Sequence, residues 1–142
     1  MRTTKYGKYF VDEPMLEGMF APRIRFASRD YFGEKNLTLQ INCITAPWLI
    51  EEEPHSHNFD QFLFFFGANP SNMAEFGAEV EISLGEEGEK HVISKTTVVH
   101  IPSGMLHCPL YFRKVDNPVM FMNVALTPEY LKTVDNVTTT WR

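Results

Sequence analysis

Much that would mark a specialised chain is missing from this one. It has only two cysteines, Cys43 and Cys108, in 142 residues. That is too few for a disulfide framework and points to a reducing, cytoplasmic setting. No cluster of Lys and Arg occurs, and 13 basic against 18 acidic residues leave a formal charge of −5, which argues against nucleic acid and anionic membranes as partners. The opening stretch MRTTKYGKYFVDEP lacks the apolar core of a secretion signal, and no run approaches membrane-spanning length. Internal repeats and low-complexity tracts are absent. Helical periodicity is nearly absent too.

What is present is strand chemistry. Apolar residues make up 44% of the chain and aromatics 13%, with twelve Phe, a composition that excludes disorder and favours strands. The length fits one domain with a proper core. Residues 1–22, broken by Pro14, Gly18 and Pro22, read as an irregular N-terminal arm. RIRFASRDYF and NLTLQINCI follow as short strands, the second alternating Leu37, Leu39, Ile41 and Cys43 with Thr38, Gln40 and Asn42. FLFFFG, ended by Gly67, reads as a buried strand and its Phe run as core or cavity wall. AEVEISLGEEGEKHVIS is the clearest hairpin. TTVVHIPSGMLHCPLYF reads as strand, turn at 102–104, strand, and PVMFMNVAL as one more, with Met120 and Met122 expected between sheets. Only TPEYLKTV (127–134) looks helical, with Thr127 as N-cap, Pro128 at the first position and Glu129 in the first turn. The expectation is an all-β antiparallel jelly-roll barrel over 23–126, with a short helix and tail over 127–142.

Two segments carry the chemistry. In PHSHNFDQFLFFF, His55 and His57 are two residues apart, so in an extended chain both imidazoles project to one face. In PSGMLH, Pro102 and Gly104 make a tight turn and His107 opens the next strand. Either pattern arises by chance often enough to mean little alone. Both together, in this order on an all-β chain, make chance the poorer account.

These residues resemble the two motifs of single-domain cupins, of form G(X)5HXH(X)3–4E(X)6G and G(X)5PXG(X)2H(X)3N. The likeness covers about residues 50–112. His55, His57 and His107 fall on that family's histidine ligands, and Pro102 and Gly104 on its second turn. Gln61 stands where the family has a glutamate ligand and shares the parity of His55 and His57. Asp60 competes for that place, because Gly67 lies at the family's distance from it. Leu49, Thr96 and Tyr111 replace the remaining motif glycines and asparagine.

The resemblance implies one divalent transition metal (Fe, Mn, Ni or Zn) held by His55, His57, Gln61 and His107. It implies dioxygenase, decarboxylase or isomerase-type chemistry on a small polar or carboxylate-bearing molecule. The alternative is a non-catalytic module that binds or senses a small molecule in the same pocket. Tyr111, sharing the parity of His107, is expected to face the cavity, and Cys108 to point the other way into the core. His91 and His100 have no partner spacing. Such cupins commonly pair, and open strand edges with an aromatic arm (Tyr6, Tyr9, Phe10) suggest a homodimer.

Overall fold

The computed structural model describes residues 3–134 and 137–140. Met1 and Arg2 of the expected arm, and residues 135–136 and 141–142 of the expected tail, lie outside the described residues. The strands are β1 (Met15–Leu16), β2 (Arg23–Ala27), β3 (Thr38–Ile44), β4 (Trp48–Glu51), β5 (Gln61–Gly67) and β6 (Ala78–Leu84), followed by β7 (Glu89–Ile93), β8 (Thr97–Ile101), β9 (His107–Val115), β10 (Val119–Ala125), β11 (Leu131–Val134) and β12 (Val137–Thr140). Among the described residues, helix is confined to two short turns, Gly7–Tyr9 and Ser28–Tyr31. The chain is therefore nearly all β, as its composition implies.

Six strands form one antiparallel sheet in the order β1-β2-β3-β10-β5-β8, four form a second in the order β4-β9-β6-β7, and β11 pairs with β12. The two larger sheets face each other across a shared core, and among the described residues no backbone hydrogen bonds close them into a barrel. The predicted hairpin is β6–β7, in register from Val80 opposite Ile93 to Leu84 opposite Glu89. Its turn uses Gly85 at φ +80°, a backbone region that disfavours any side chain.

The expected helix over 127–134 does not form. Thr127 makes a cap-like contact, its Oγ1 accepting the Glu129 N–H at 3.4 Å, but the chain then extends as β11. Ser56 and Thr133 exchange backbone hydrogen bonds at 3.0 and 2.8 Å, and β12 takes the other pairing. β-Branched Thr133, Val134 and Val137 suit a strand, and with two backbone partners available local helix propensity loses.

The core is built from both sheets. Phe65 and Phe121 of the six-stranded sheet meet Phe112 of the four-stranded one, with ring centroids 5.1 Å (Phe65–Phe121), 5.9 Å (Phe65–Phe112) and 5.9 Å (Phe112–Phe121) apart. Ile44, Leu63, Val80 and Ile82 fill in around them. Phe65 is fully buried, so Phe65→Ala should cost roughly 3–5 kcal/mol, read as a lower urea midpoint. The same change at its outward neighbour Phe64 should cost clearly less.

The six-stranded sheet inverts the usual pattern. On β3 the inward side chains are Thr38, Gln40, Asn42 and Ile44, while apolar Leu39, Ile41 and Cys43 point out. On β10, Met120, Met122 and Val124 point out, and on β5 Phe62, Phe64 and Phe66 do, all half-buried beside fully buried inward neighbours such as Leu63, Phe65 and Phe121. Met120 and Met122 thus do not pack between the sheets. Of the four Phe in the run, Phe65 is core and Phe62, Phe64 and Phe66 lie on the outer surface. Polar residues occupy the inside because a pocket, described next, lies there.

Candidate metal centre

Backbone pairing brings the two histidine segments together. His55 and His107 form an antiparallel bridge, exchanging N–H···O bonds of 3.1 and 3.0 Å. The 102–105 turn closes with Met105 N–H on the Pro102 carbonyl at 3.1 Å, and Gly104, at φ +86°, donates its N–H to the His57 carbonyl at 2.7 Å. A glycine is needed there for the left-handed third position of a type II turn.

All three imidazoles are buried, at 2–3% exposure. Ring centroids lie 4.4 Å (His55–His107), 4.9 Å (His55–His57) and 5.1 Å (His57–His107) apart. Each Nδ1 faces a backbone carbonyl: Glu53 for His55 at 3.0 Å, Leu131 for His57 at 2.5 Å and Met105 for His107 at 3.0 Å. A carbonyl only accepts, so the proton sits on Nδ1 and each Nε2 keeps its lone pair. That is how metal-binding histidines are commonly oriented. Burial lowers all three pKa values, with His57 at about 3 and His107 at about 4. His107 and His55 add to the effect at His57, His55 at His107, and Lys132 at His55 and His57. The rings are neutral at pH 7, the form a metal requires.

Gln61 opens β5 on the inward side and is buried. Its Nε2 donates to Asn123 Oδ1 at 2.9 Å and to the Tyr130 hydroxyl at 2.8 Å, while its Oε1 is buried with no hydrogen-bond partner. Asp60 turns away: its Oδ1 accepts the Ser103 N–H at 2.9 Å and its Oδ2 lies 3.5 Å from His100. Of the two competing oxygens, only Gln61 lines the histidine cavity. His100 stacks on Phe62 outside the sheet and His91 pairs with Glu89 at the surface.

Two expectations fail at one irregularity. Between Leu110 and His107, three steps along β9 match two along β6 (Ile82 to Leu84), a bulge at Cys108–Pro109. Cys108 adopts φ +88°. Consequently His107 and Cys108 are both buried against the same cavity, and the parity beyond them is reversed. Leu110 and Phe112 point in, and Tyr111 points out at 37% exposure. Tyr111 is not a pocket residue, and Cys108 is. Among the described residues, one group of three His, Cys or carboxylate side chains brings its ligand atoms within 4.8 Å of one another: His55, His107 and Cys108. His57 is outside that group, its Nε2 accepting the Tyr130 hydroxyl at 3.1 Å. Burial pushes the Cys108 thiol up to about 12, so it is protonated at neutral pH.

The pocket's phenol is Tyr130, delivered by the segment that was expected to be helical and therefore missed. It is 2% exposed, and burial raises its pKa. Asn123 was also missed, although its polar side chain on the inward parity of VMFMNVAL was a usable signal. Glu51 lines the cavity and pairs with Lys132 at 2.8 Å. Burial opposes its ionisation, but Lys132 outweighs this and its pKa falls.

The histidine cavity is small, about 40 Å³, room for an ion or one water. Ile50, Phe121 and Asn123 separate it from a larger hollow of about 270 Å³ lined by Arg23, Gln40, Asn42, Trp48 and the 17–19 segment. Arg23 donates through Nε to the Glu17 carbonyl at 3.0 Å and through Nη1 to Gln40 Oε1.

The chain matches no protein-family model and no curated protein. Solved structures do resemble it. An oxalate decarboxylase from Lactobacillus farciminis, a formate complex, aligns at a TM-score of 0.56 and 17% identity over 91% of this chain and 34% of that one. Oxalate decarboxylase from Bacillus subtilis gives 0.51 and 14% over 84% and 27%. A structure concerned with the Mn(II) centres of the same Bacillus enzyme gives 0.50 and 14% over 84% and 28%. The chain spans about a third or less of the length of these proteins, and at such identities the likeness is one of fold.

Proposed function

We propose that this chain, a single domain of cupin fold, holds one divalent transition metal on His55, His57, His107 and Gln61 and acts on a small carboxylate-bearing molecule. The observation that carries the reading is the orphaned Gln61 Oε1. It is buried and unpartnered, in a cavity lined by two imidazoles whose Nε2 lone pairs are unprotonated. Burying such an oxygen without a partner costs roughly 1–3 kcal/mol, a cost that a cation in the cavity would remove. When bound, the ion would act as a Lewis acid toward a substrate oxygen.

The carboxylate preference is supported by Arg23, two of whose five N–H donors are engaged by Glu17 and Gln40. Gln40, Asn42 and Asn123 add uncharged donors around the same hollow. Because the histidine cavity holds no more than an ion or a water, substrate would occupy the larger hollow and reach past Asn123. Tyr130, fixed by Gln61 and Asn123, is the residue placed to hold a proton beside the ligands. Similarity in fold to oxalate decarboxylases agrees with this substrate class.

A binding or sensing role without turnover is favoured by one feature, the amide at Gln61 where a carboxylate would strengthen a catalytic metal site. The test is to load the protein with Mn(II), Fe(II), Ni(II) or Zn(II) and measure stoichiometry. CO₂ release and O₂ uptake are then followed across short mono- and dicarboxylates. Turnover, with a KM raised at least about tenfold in Arg23→Gln, is the expected result. Carboxylate binding without turnover would favour the second reading, and failure to bind any metal would sink the proposal.

A further inference from the structure

We infer that the histidine cavity is also a copper site, holding Cu(I) on His55, His107 and the Cys108 thiolate, with Gln61 Oε1 as a weak fourth donor. Alternation along β9 would send His107 and Cys108 to opposite sheet faces, but the bulge at Cys108 turns both against the cavity. The ligand atoms of His55, His107 and Cys108 lie within 4.8 Å of one another. A second observation points to a ligand there. Gln61 is buried and lines the same cavity, yet its Oε1 has no hydrogen-bond partner. His57 does not line the cavity, and its Nε2 accepts the Tyr130 hydroxyl at 3.1 Å. The copper set shares three residues with the divalent site proposed above but does not depend on it, since it stands without His57 and leaves the Tyr130 contact in place.

Donor type and charge select the ion. Two imidazoles and a thiolate, with an amide oxygen as a weak fourth donor, make a set that copper takes, and soft thiolate favours Cu(I). The cavity is about 40 Å³, with Ile50, Leu63, Leu110 and Phe121 as apolar walls. Its one lining carboxylate, Glu51, pairs with Lys132 at 2.8 Å, so the pair adds no net charge. A small site with such walls penalises net charge heavily. Cu(I) with one thiolate and neutral donors sums to zero. A divalent ion on the same donors would leave a buried positive charge. As the S–Cu bond forms, the S–H bond breaks and its proton passes to solvent. Copper enters and stays as Cu(I), so no electron moves.

The 142-residue chain, kept anaerobic and titrated with Cu(I) against the chromophoric chelator bicinchoninate, should take up a single ion. The ultraviolet charge-transfer band of a copper–thiolate bond should rise with it. Cys108→Ser should weaken Cu(I) binding at least about 100-fold and leave Mn(II) binding unchanged. His57→Ala should do the reverse, keeping Cu(I) while losing Mn(II). Cys43→Ser should keep both. Its thiolate band can come only from Cys108, which answers the question even where Cys108→Ser fails to fold. Copper bound with no thiolate band, binding that survives Cys108→Ser, or binding lost in His57→Ala or Cys43→Ser would each overturn the inference. Mn(II) binding without Cu(I) binding would overturn it and leave the divalent reading standing. Cu(I) held through the thiolate without Mn(II) binding would support it and count against that reading.

Discussion

His107→Ala is expected to lower metal affinity at least about 100-fold while leaving the domain folded. Loss of an outer partner of a ligand already costs 10–100-fold, so loss of the ligand itself should cost more. The fold survives because its core, centred on Phe65, Phe112 and Phe121, is held by apolar burial and does not depend on an ion. The neighbouring positions give the prediction its resolution. Gln61→Glu should tighten binding about tenfold, since a carboxylate lowers the charge of a divalent site and donates more strongly than an amide. Asp60→Asn should change little, because Asp60 is held by Ser103 N–H and faces His100. Cys108→Ser should also bind normally if His57 and Gln61 complete the site. Isothermal titration with Mn(II) and with Zn(II) separates these cases. Full metal binding by His107→Ala would refute the shared centre, and loss confined to Cys108→Ser would replace His57 and Gln61 with the thiol.

Mild acid should unfold the metal-free protein. Three histidines are buried as neutral rings, with His57 at about 3, His107 at about 4 and His55 lowered in the same direction. In the unfolded chain each titrates near 6.5. Between these values the unfolded state binds more protons than the folded one, so stability rises with pH. The stabilisation is whole above pH 6.5 and drains away as pH falls toward 4 and then 3. Each ring costs about 1.4 kcal/mol per pH unit in that window. At pH 5 His57 and His107 together cost roughly 4 kcal/mol, a large part of the 5–15 kcal/mol that holds a domain together. Thermal melts at steps from pH 7.5 to 4.5 should show a steep fall beginning near pH 6.5. Saturating Mn(II) should move the fall to lower pH, because the ion stabilises the folded state that binds it. A melting temperature flat between pH 7 and 5 would contradict the buried, neutral state of these rings.

The sequence by itself determined what depends on near neighbours. Alternation along AEVEISL and the glycines after it specify a hairpin. His-Ser-His in extended backbone specifies two imidazoles on one face, and Pro102 with Gly104 specifies the turn before His107. Parity in an extended chain likewise puts Gln61 on the face of those histidines and Asp60 on the opposite one. Tertiary structure decided the rest, because each remaining question turned on a partner distant in the chain. Parity predicts which residues share a face but not which face meets the core, and β3 and β10 place their apolar residues outward over a polar hollow. The bulge at Cys108 comes from registering β9 against β6, and one displaced step was enough to exchange Tyr111 for Leu110 and to bring the thiol into the cavity. Tyr130 enters the site because Thr133 found Ser56 as a backbone partner, a pairing across 77 positions whose energy no local propensity at 127–134 could register.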